Sequence, residues 1–230
     1  MKRRSLLQSA LGTGGLLSLG GCALNPLGQE VAQLTRPLNE RIEAWMQATT
    51  PVPEFKRNQV EPAALLVNSF NGIPEINLDN FSLTVDGLVQ QPQQLGLSTL
   101  GQLPQQEIVI RHVCVEGWAA IVAWGGVRLA DVLRLAEVSP LAGYVAFVSA
   151  DGYFETWDLR TALHPQTLLA TQMNGAPLPV ANGAPLRLTS PLKLGYKLSK
   201  WITAIHVLDT LNPHRLGTWE DQGYEWYAGL

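Results

Sequence analysis

A strand that stops at a cysteine constrains the fold of this chain more than any other feature of its sequence. The apolar residues 108–110 lead into Val113-Cys114-Val115, and Glu116-Gly117-Trp118 follows as a loop. The pattern predicts a buried strand that carries a thiol at its end. Cys114 is the only cysteine beyond the first 22 residues, and its thiolate is a ligand for a soft metal.

Length and charge limit the class of protein. The chain has 230 residues, 46% of them hydrophobic, which is enough for one sizeable core or for one domain with an N-terminal appendage. Its 21 Gly and 15 Pro favour a loop-rich mixed fold over a helical bundle. A formal net charge of −3 argues against nucleic acid as a partner, because phosphate binding requires a basic surplus.

The first 22 residues have the pattern of an export signal. Lys2-Arg3-Arg4-Ser5 is a twin-arginine start, and the uncharged run 6–19 is too short to span a membrane comfortably. The arginine pair indicates the twin-arginine route, which exports folded proteins. We therefore expect a location in the periplasm or at an extracytoplasmic membrane surface.

Leu19-Gly20-Gly21-Cys22 resembles a lipoprotein cleavage box, with lipidation of Cys22. The alternatives are an ordinary signal that is cleaved nearby and an uncleaved anchor. If Cys22 is acylated or removed, Cys114 cannot form an internal disulfide in an oxidising compartment.

The rest of the chain divides into an arm and a domain. Residues 23–60 are interpreted as a tether and packing arm, with an amphipathic helix at 38–48 and a Pro-broken linker at 51–53. Residues 61–230 form the main domain. Within 65–74 the sequence predicts an apolar strand that runs into a polar turn, with Asn68 and Asn71 at the strand exit. Further strands are predicted over 81–85, 144–150, 153–157, 167–173, 186–189 and 202–208, a helical turn over 98–103 and a helix over 129–136. This alternation predicts an α+β fold with a mixed sheet or barrel.

Two kinds of chemistry could use the thiol of Cys114. Cys114 could act as a nucleophile with a histidine base, and His112, His164, His206 and His214 are the candidates, none of them singled out by spacing. A zinc site is poorly supported, since one thiol and scattered histidines lack paired ligand spacing.

A basic cluster suggests an anionic ligand. Arg187, Lys193, Lys197 and Lys200 lie within fourteen residues of each other, and Arg and Lys are the phosphate-binding side chains. The alternative is a solvated basic face, although apolar residues interleave with these cations. The seven tryptophans either fill the core or wall off a dry site; Trp118 and Trp124 flank the cysteine loop, and Trp219 and Trp226 lie in the tail.

These segments together resemble the sulfite-oxidase superfamily and, within it, the catalytic subunits of bacterial periplasmic protein-methionine-sulfoxide reductases. The motifs, in order, are Leu83-Thr84-Val85-Asp86-Gly87, Cys114-Val115-Glu116-Gly117-Trp118 with Trp124-Gly125-Gly126, the stretch 144–153, Asn182-Gly183-Ala184-Pro185 with the stretch 195–201, and Thr218-Trp219-Glu220 with Gly223-Tyr224. The likeness covers residues 60–227.

The resemblance implies the sulfite-oxidase-type fold and a molybdenum–molybdopterin cofactor. Cys114 would be the catalytic thiolate ligand of the metal. The residues implied to contact the pterin and its phosphate are Asn68, Asn71, Gly72, Ser149, Asn182, Arg187, Leu198, Ser199 and Lys200. The implied reaction is oxygen-atom transfer at molybdenum.

The resemblance also implies an external electron carrier, since the sequence has no Cys-x-x-Cys-His haem motif. We expect a membrane haem or quinone-linked protein as that partner, and a monomer, because the extra C-terminal domain of sulfite oxidases is absent.

One departure from the family pattern bears on the substrate. True sulfite oxidases follow the ligand cysteine with Gly-Asn-Arg-Arg-type residues, whereas this chain has Glu116 there. A carboxylate repels the sulfite dianion, which favours reduction of a neutral S-oxide or N-oxide such as methionine sulfoxide. The alternatives are a sulfite dehydrogenase of the same fold and a metal-free, lipid-tethered binding domain.

Overall fold

The computed structural model describes residues 51–230 and, before them, only residues 34, 35, 38 and 42. Leu38 and Ile42 are helical, and the remainder of the helix expected over 38–48 lies outside the described residues. The predicted signal, Cys22 and most of the predicted arm also lie outside them. In the part of the chain that is described, no helix is long and apolar enough to cross a membrane.

Within residues 51–230, ten strands form two sheets of five. In chain order the strands are β1 (Ser82–Gly87), β2 (Gln93–Gly96), β3 (Gln105–Val113), β4 (Ala119–Arg128), β5 (Tyr144–Ser149), β6 (Phe154–Asp158), β7 (Leu168–Met173), β8 (Ala176–Pro177), β9 (Arg187–Thr189) and β10 (Ile202–Leu208). The short helices are α1 (Leu97–Gln102), α2 (Leu129–Leu135) and α3 (Leu159–Ala162). The predicted α+β fold with mixed sheets is confirmed.

The first sheet has the order β2-β1-β10-β5-β6. Its central pair, β1 and β10, is parallel, with Thr84 opposite Ala204, and the other pairs are antiparallel. Leu83 and Val85 are fully buried on β1, while Ser82 is exposed. This alternation is why the sequence predicted the strand correctly, since a half-buried strand presents alternate residues to the core.

The second sheet has the order β3-β4-β7-β8, with β9 also paired to β7, and all of its pairs are antiparallel. Strand β4 is buried along almost its whole length, and its sequence therefore shows no alternation of apolar and polar residues. For that reason the pattern predicted β3 but missed β4. The largest core cluster includes Phe147 and Trp157 of the first sheet, Leu129 of helix α2 and Leu169 of the second sheet, so it joins these elements.

One predicted strand is wrong. Residues 65–74 have no strand pairing, although their apolar residues suggested a strand. Leu66, Val67 and Phe70 are between 41% and 53% exposed, so this segment does not contribute a face to the core. It is attached to the domain by side-chain hydrogen bonds, as described below.

Residues 51–61 lie along the second sheet. The backbone N–H of Phe55 donates to the carbonyl of Val109 at 2.9 Å, and that of Glu61 donates to Ile121 at 2.8 Å. Phe55 and Val60 cover the buried cluster of Val109 and Ile121. This part of the predicted arm therefore packs on the domain.

Gly126 marks the closest approach of two backbones in the second sheet. A Cβ at this position would clash with the carbonyl oxygen of Leu169 and lie 2.7 Å from Cα of Ala170. Because the obstacle is backbone, Gly126→Ala is expected to destabilise the protein by about 1–3 kcal/mol. A fall in melting temperature of about 2–4 °C per kcal/mol would be measured by calorimetry.

The matched control is Gly101→Ala. Gly101 lies in α1, and a Cβ there meets nothing within 4 Å. This substitution is expected to stabilise the protein by about 0.4–1 kcal/mol. Equal effects of the two substitutions would contradict the steric explanation.

Candidate active site

A cavity of about 500 Å³ opens beside the C-terminal end of β3. Its walls come from five separate parts of the chain: the segment 65–70, the loop 114–118, residues 151–153 between β5 and β6, the stretch 182–200, and the tail. Loops after strand ends meet here, which is where α/β and α+β folds commonly place functional groups.

Cys114 is the first residue after β3 and lies at the cavity wall, as the sequence predicted. A tight turn fixes it: its N–H donates to the carbonyl of Trp118 at 2.9 Å, and the N–H of Gly117 donates to its carbonyl at 3.2 Å. Gly117 has φ +89°, which a glycine adopts without strain. Partial burial, with the nearby Glu116 carboxylate adding to it, raises the pKa of the thiol.

Glu116 is the carboxylate of this loop. It accepts hydrogen bonds from Trp118 Nε1 at 2.9 Å and from Asn68 Nδ2 at 2.8 Å, and these bonds lower its pKa. Its Oε2 lies 3.6 Å from Cys114 Sγ. A negative charge is therefore fixed beside the thiol, and it also attaches the unpaired segment 65–70 to the cysteine loop.

His112 lies under the cysteine loop. Its ring stacks on Trp118 with centroids 5.6 Å apart and planes at 17°. Burial, with the charges of Arg187 and Lys200 adding to it, lowers the pKa of His112 to about 3. The imidazole is thus neutral and a weak base, which does not favour the Cys/His nucleophile interpretation. The other three histidines are not among the residues that line the cavity.

Two cations lie together in another part of the wall. Arg187 is buried over the Trp124 ring at 4.5 Å, and its Nη1 donates to the carbonyl of Asn182 at 2.9 Å. Lys200 donates to the carbonyl oxygens of Asn68 and Ala181. Burial lowers the pKa of Arg187 to about 9, and burial with the neighbouring Arg187 lowers that of Lys200 to about 8. A bound anion would offset both effects, because it favours the charged forms.

The other two lysines of the basic cluster, Lys193 and Lys197, have structural partners. Lys193 Nζ donates to the carbonyl of Tyr227 at 2.5 Å and lies 3.4 Å from Asp158. Lys197 is fully buried between Glu155 and Glu220, with its Nζ 2.6 Å from Glu220. Neither lysine lines the cavity.

The structure brings seven of the ten predicted site residues to the cavity wall: Asn68, Cys114, Asn182, Arg187, Leu198, Ser199 and Lys200. Asn71 and Gly72 are exposed next to it, and Asn71 donates to the carbonyl of Asp151, a wall residue, at 3.0 Å. Ser149 is buried at the end of β5 and is not a wall residue.

The wall has features that fit a bulky anionic chelate. Ser199 Oγ and His112 Nδ1 are buried polar atoms with no hydrogen-bond partner among the described residues, and such atoms usually have one. Gly195 approaches so closely that a Cβ would lie 2.9 Å from His112 Nε2. Over the described ranges no three His, Cys, Asp or Glu residues are grouped to hold a metal. A metal at Cys114 would therefore need ligands from a cofactor, and molybdopterin supplies sulfur ligands and a phosphate.

Sequence reasoning missed most of the aromatic part of the wall. Phe70, Tyr153, Tyr196, Trp219 and Tyr224 all line the cavity and are called the aromatic wall below. They come from distant parts of the chain, so no local pattern joins them. Tyr153, Tyr196, Trp219 and Tyr224 belong to motifs of the resemblance and carried that signal, whereas Phe70 carried none.

The fold and the site together define a molybdopterin-dependent oxidoreductase. Residues 70–216 match the family described as oxidoreductase molybdopterin-binding domain, and the chain belongs to that family. The predicted sulfite-oxidase-type resemblance and molybdenum–molybdopterin cofactor are confirmed at the level of the family.

Several relatives have related names. A chain from Azospira oryzae, provisionally named as a protein-methionine-sulfoxide reductase subunit, is 37% identical over 99% of this chain and 87% of its own length. The protein-methionine-sulfoxide reductase catalytic subunit of Ralstonia nicotianae is 29% identical over 100% of this chain and 75% of its own. The sulfane dehydrogenase SoxCD of Paracoccus pantotrophus shares the fold, with a TM-score of 0.60 and 19% identity over 66% of this chain and 43% of its own.

Proposed function

We propose that this chain is the catalytic component of a reductase that removes the oxygen atom from an S-oxide, with methionine sulfoxide as the substrate. The position of Glu116 carries the proposal. Its carboxylate is held by two hydrogen bonds and lies 3.6 Å from Cys114 Sγ. A dianion such as sulfite is repelled there, whereas a neutral S-oxide is not. The names of the relatives from Azospira oryzae and Ralstonia nicotianae support the same substrate.

The proposed roles of the wall residues follow from their chemistry. Cys114 binds molybdenum through its thiolate, and Arg187 and Lys200 bind the pterin phosphate. Asn68, Asn182, Leu198 and Ser199 contact the pterin, and Asn71, Gly72 and Ser149 remain predicted contacts. The bound molybdenum supplies two-electron redox chemistry and oxygen-atom transfer. Trp118 and His112 exclude water from the thiol by stacking beneath the loop.

The proposed reaction is balanced by two electrons and two protons: S-oxide + 2 e⁻ + 2 H⁺ gives thioether and water. The sulfur–oxygen bond breaks, sulfur is reduced, and the oxygen leaves as water. The electrons come from an external carrier, which we propose is a membrane haem or quinone-linked protein. Export by the twin-arginine route, with Cys22 as a lipid attachment site, and the division into 1–22, 23–60 and 61–230 belong to the same proposal.

Turnover by cofactor-loaded protein tests the function. With a reduced viologen dye as donor, methionine sulfoxide is expected to be reduced. With ferricyanide as acceptor, sulfite is expected to be oxidised with a kcat/KM at least about 100-fold lower than the kcat/KM for methionine sulfoxide reduction. Glu116→Gln removes the charge and is expected to reduce the ratio of the two kcat/KM values. The matched control is Glu75→Gln, which changes an exposed carboxylate and should leave this ratio unchanged. A wild-type kcat/KM that is higher for sulfite oxidation than for methionine sulfoxide reduction would favour the sulfite dehydrogenase alternative. If the protein contains neither metal nor pterin when it is produced in a host that makes the molybdenum cofactor, the metal-free binding-domain alternative is favoured.

A further inference from the structure

The aromatic wall forms one continuous surface of touching rings. The Phe70 ring contacts Tyr153 at 5.9 Å and Trp219 at 6.5 Å between centroids, both edge to face. Trp219 then contacts Tyr224 at 5.5 Å, and Tyr224 contacts Tyr196 at 5.4 Å. The rings come from the segment 65–70, from the residue before β6, from the turn at 195–197 and from the tail. The surface therefore exists only in the folded chain.

Two of the three phenol hydroxyls of this surface are hydrogen-bonded to backbone groups. Tyr153 Oη donates to the carbonyl of Tyr196 at 2.6 Å, and Tyr196 Oη donates to the carbonyl of Glu225 at 2.6 Å. Burial raises the pKa of both phenols, so both are neutral. These two hydroxyls are therefore committed to backbone groups, and the rings of Tyr153 and Tyr196 contribute apolar surface to the cavity wall.

The cations of the cavity have other ring partners. Arg187 lies over Trp124 at 4.5 Å and Lys200 over Trp201 at 4.4 Å. Through the described part of the chain, no cation is found over a ring of the aromatic wall. The cavity therefore has a cationic part that suits a phosphate and a separate aromatic part whose rings carry no cation.

Two rings of the aromatic wall reach solvent. Phe70 is 41% exposed and Tyr224 is 42% exposed, although both contact other rings. Apolar surface that lines a cavity and remains half open is suited to an apolar group that enters from outside. The unbranched, flexible arm of a methionine-type side chain adapts to such apolar surfaces.

From these observations we propose that the aromatic wall is the substrate subsite, and that it binds the alkyl arm of a methionine sulfoxide side chain. This inference rests on the proposed function. The sulfinyl oxygen, which is the polar end of the substrate, then faces the part of the cavity that contains Cys114. The wall selects S-oxides that carry an uncharged hydrocarbon arm over small S-oxides that lack one, because only the arm gains the ring contacts.

The test compares two neutral S-oxides on cofactor-loaded enzyme: N-acetyl-methionine sulfoxide methylamide, which has the arm, and dimethyl sulfoxide, which lacks it. Phe70→Ala and Tyr224→Ala are each expected to raise KM for the first about 3- to 10-fold, with kcat nearly unchanged. For dimethyl sulfoxide, kcat/KM should change less than about twofold. Phe70→Leu, which keeps apolar bulk, should fall between wild type and Phe70→Ala.

The control variant is Leu141→Ala, which removes a similar apolar side chain that is 79% exposed and is not a cavity residue. It should affect neither substrate. Melting temperatures within a few degrees of wild type, with equal molybdenum content, would show that the wall variants fold and load.

Each outcome decides between the two claims. Loss of both substrates to the same extent, or no change in either, in an enzyme that reduces S-oxides would overturn the wall subsite and leave the proposed function standing. A wild-type enzyme that is loaded with cofactor but reduces no S-oxide would overturn the proposed function, and the subsite with it. A selective rise in KM for the substrate with the arm supports both.

Discussion

Cys114→Ser is expected to abolish molybdenum-dependent turnover and to lower kcat by at least about 100-fold, since loss of even a group that supports a metal ligand costs 10–100-fold. The serine hydroxyl is a harder ligand than a thiolate and stays protonated near neutral pH. The substituted side chain is half-buried and makes only a long contact with Glu116, so the fold should survive. Metal content, kcat and the melting temperature are the three measurements.

Cys22→Ser is the matched control, because it removes the other cysteine of the chain. We expect it to keep metal content and solution activity, whatever its effect on attachment to a membrane. A Cys114→Ser or Cys114→Ala protein with wild-type metal content and turnover would show that the thiol is not the ligand.

Lys197→Met is expected to cause the largest loss of stability. Lys197 and both of its partners, Glu155 and Glu220, have 0% side-chain exposure. Removing the ammonium leaves two buried carboxylates without a cation, and breaking a buried pair costs about 3–5 kcal/mol. At about 2–4 °C per kcal/mol, the melting temperature should fall by roughly 6–20 °C. The exposed Lys56→Met should change stability by no more than about 0.5 kcal/mol.

Neutralising a carboxylate should reverse part of this loss. In the double variant Lys197→Met with Glu220→Gln, only Glu155 remains ionisable, and recovery of part of the lost stability is expected. A double variant no more stable than Lys197→Met alone would count against the electrostatic explanation.

The same cluster makes stability depend on pH. Burial raises the pKa of Glu155 well above its usual value, with Lys197 opposing the rise and Glu220 adding to it. The folded protein therefore holds a proton that the unfolded chain releases above about pH 4.5. Protonated Glu155 therefore contributes fully to the stability of the folded protein below about pH 4.5, and this contribution is lost as pH rises through the pKa of Glu155 in the folded protein. In the Glu155→Gln variant, the unfolding free energy should lose this dependence on pH, which is measured by denaturation at a series of pH values above about pH 4.5.

The cysteine strand could be predicted because local sequence determines it. The apolar run before Cys114 and the glycine-containing loop after it mark a strand end in any tertiary context. The segment 65–74 could not be predicted in the same way. Its apolar side chains suggested a strand, but they border a cavity, and partners more than 40 residues away hold the segment in place.

The basic cluster shows a second limit. Arg187 and Lys200 reach the cavity, while Lys193 and Lys197 pair with acidic side chains. All four have the same charge and lie close together in sequence. Their separation depends on Glu155, Asp158 and Glu220, whose positions follow from the pairing of β5 with β6 and from the packing of the tail. No pattern within residues 187–200 contains that information.

The dispersed origin of the cavity couples cofactor binding to folding of the whole domain. Lys200 bonds to a backbone oxygen 132 residues away, and Asn68 bonds to a side chain 48 residues away. Such a receptor does not exist in an unfolded chain, so its ligand associates with the native state alone. By thermodynamic linkage, saturation at 100 times the dissociation constant adds about 2.7 kcal/mol to the unfolding free energy. The bound cofactor thus stabilises the folded domain as well as supplying its reactive centre.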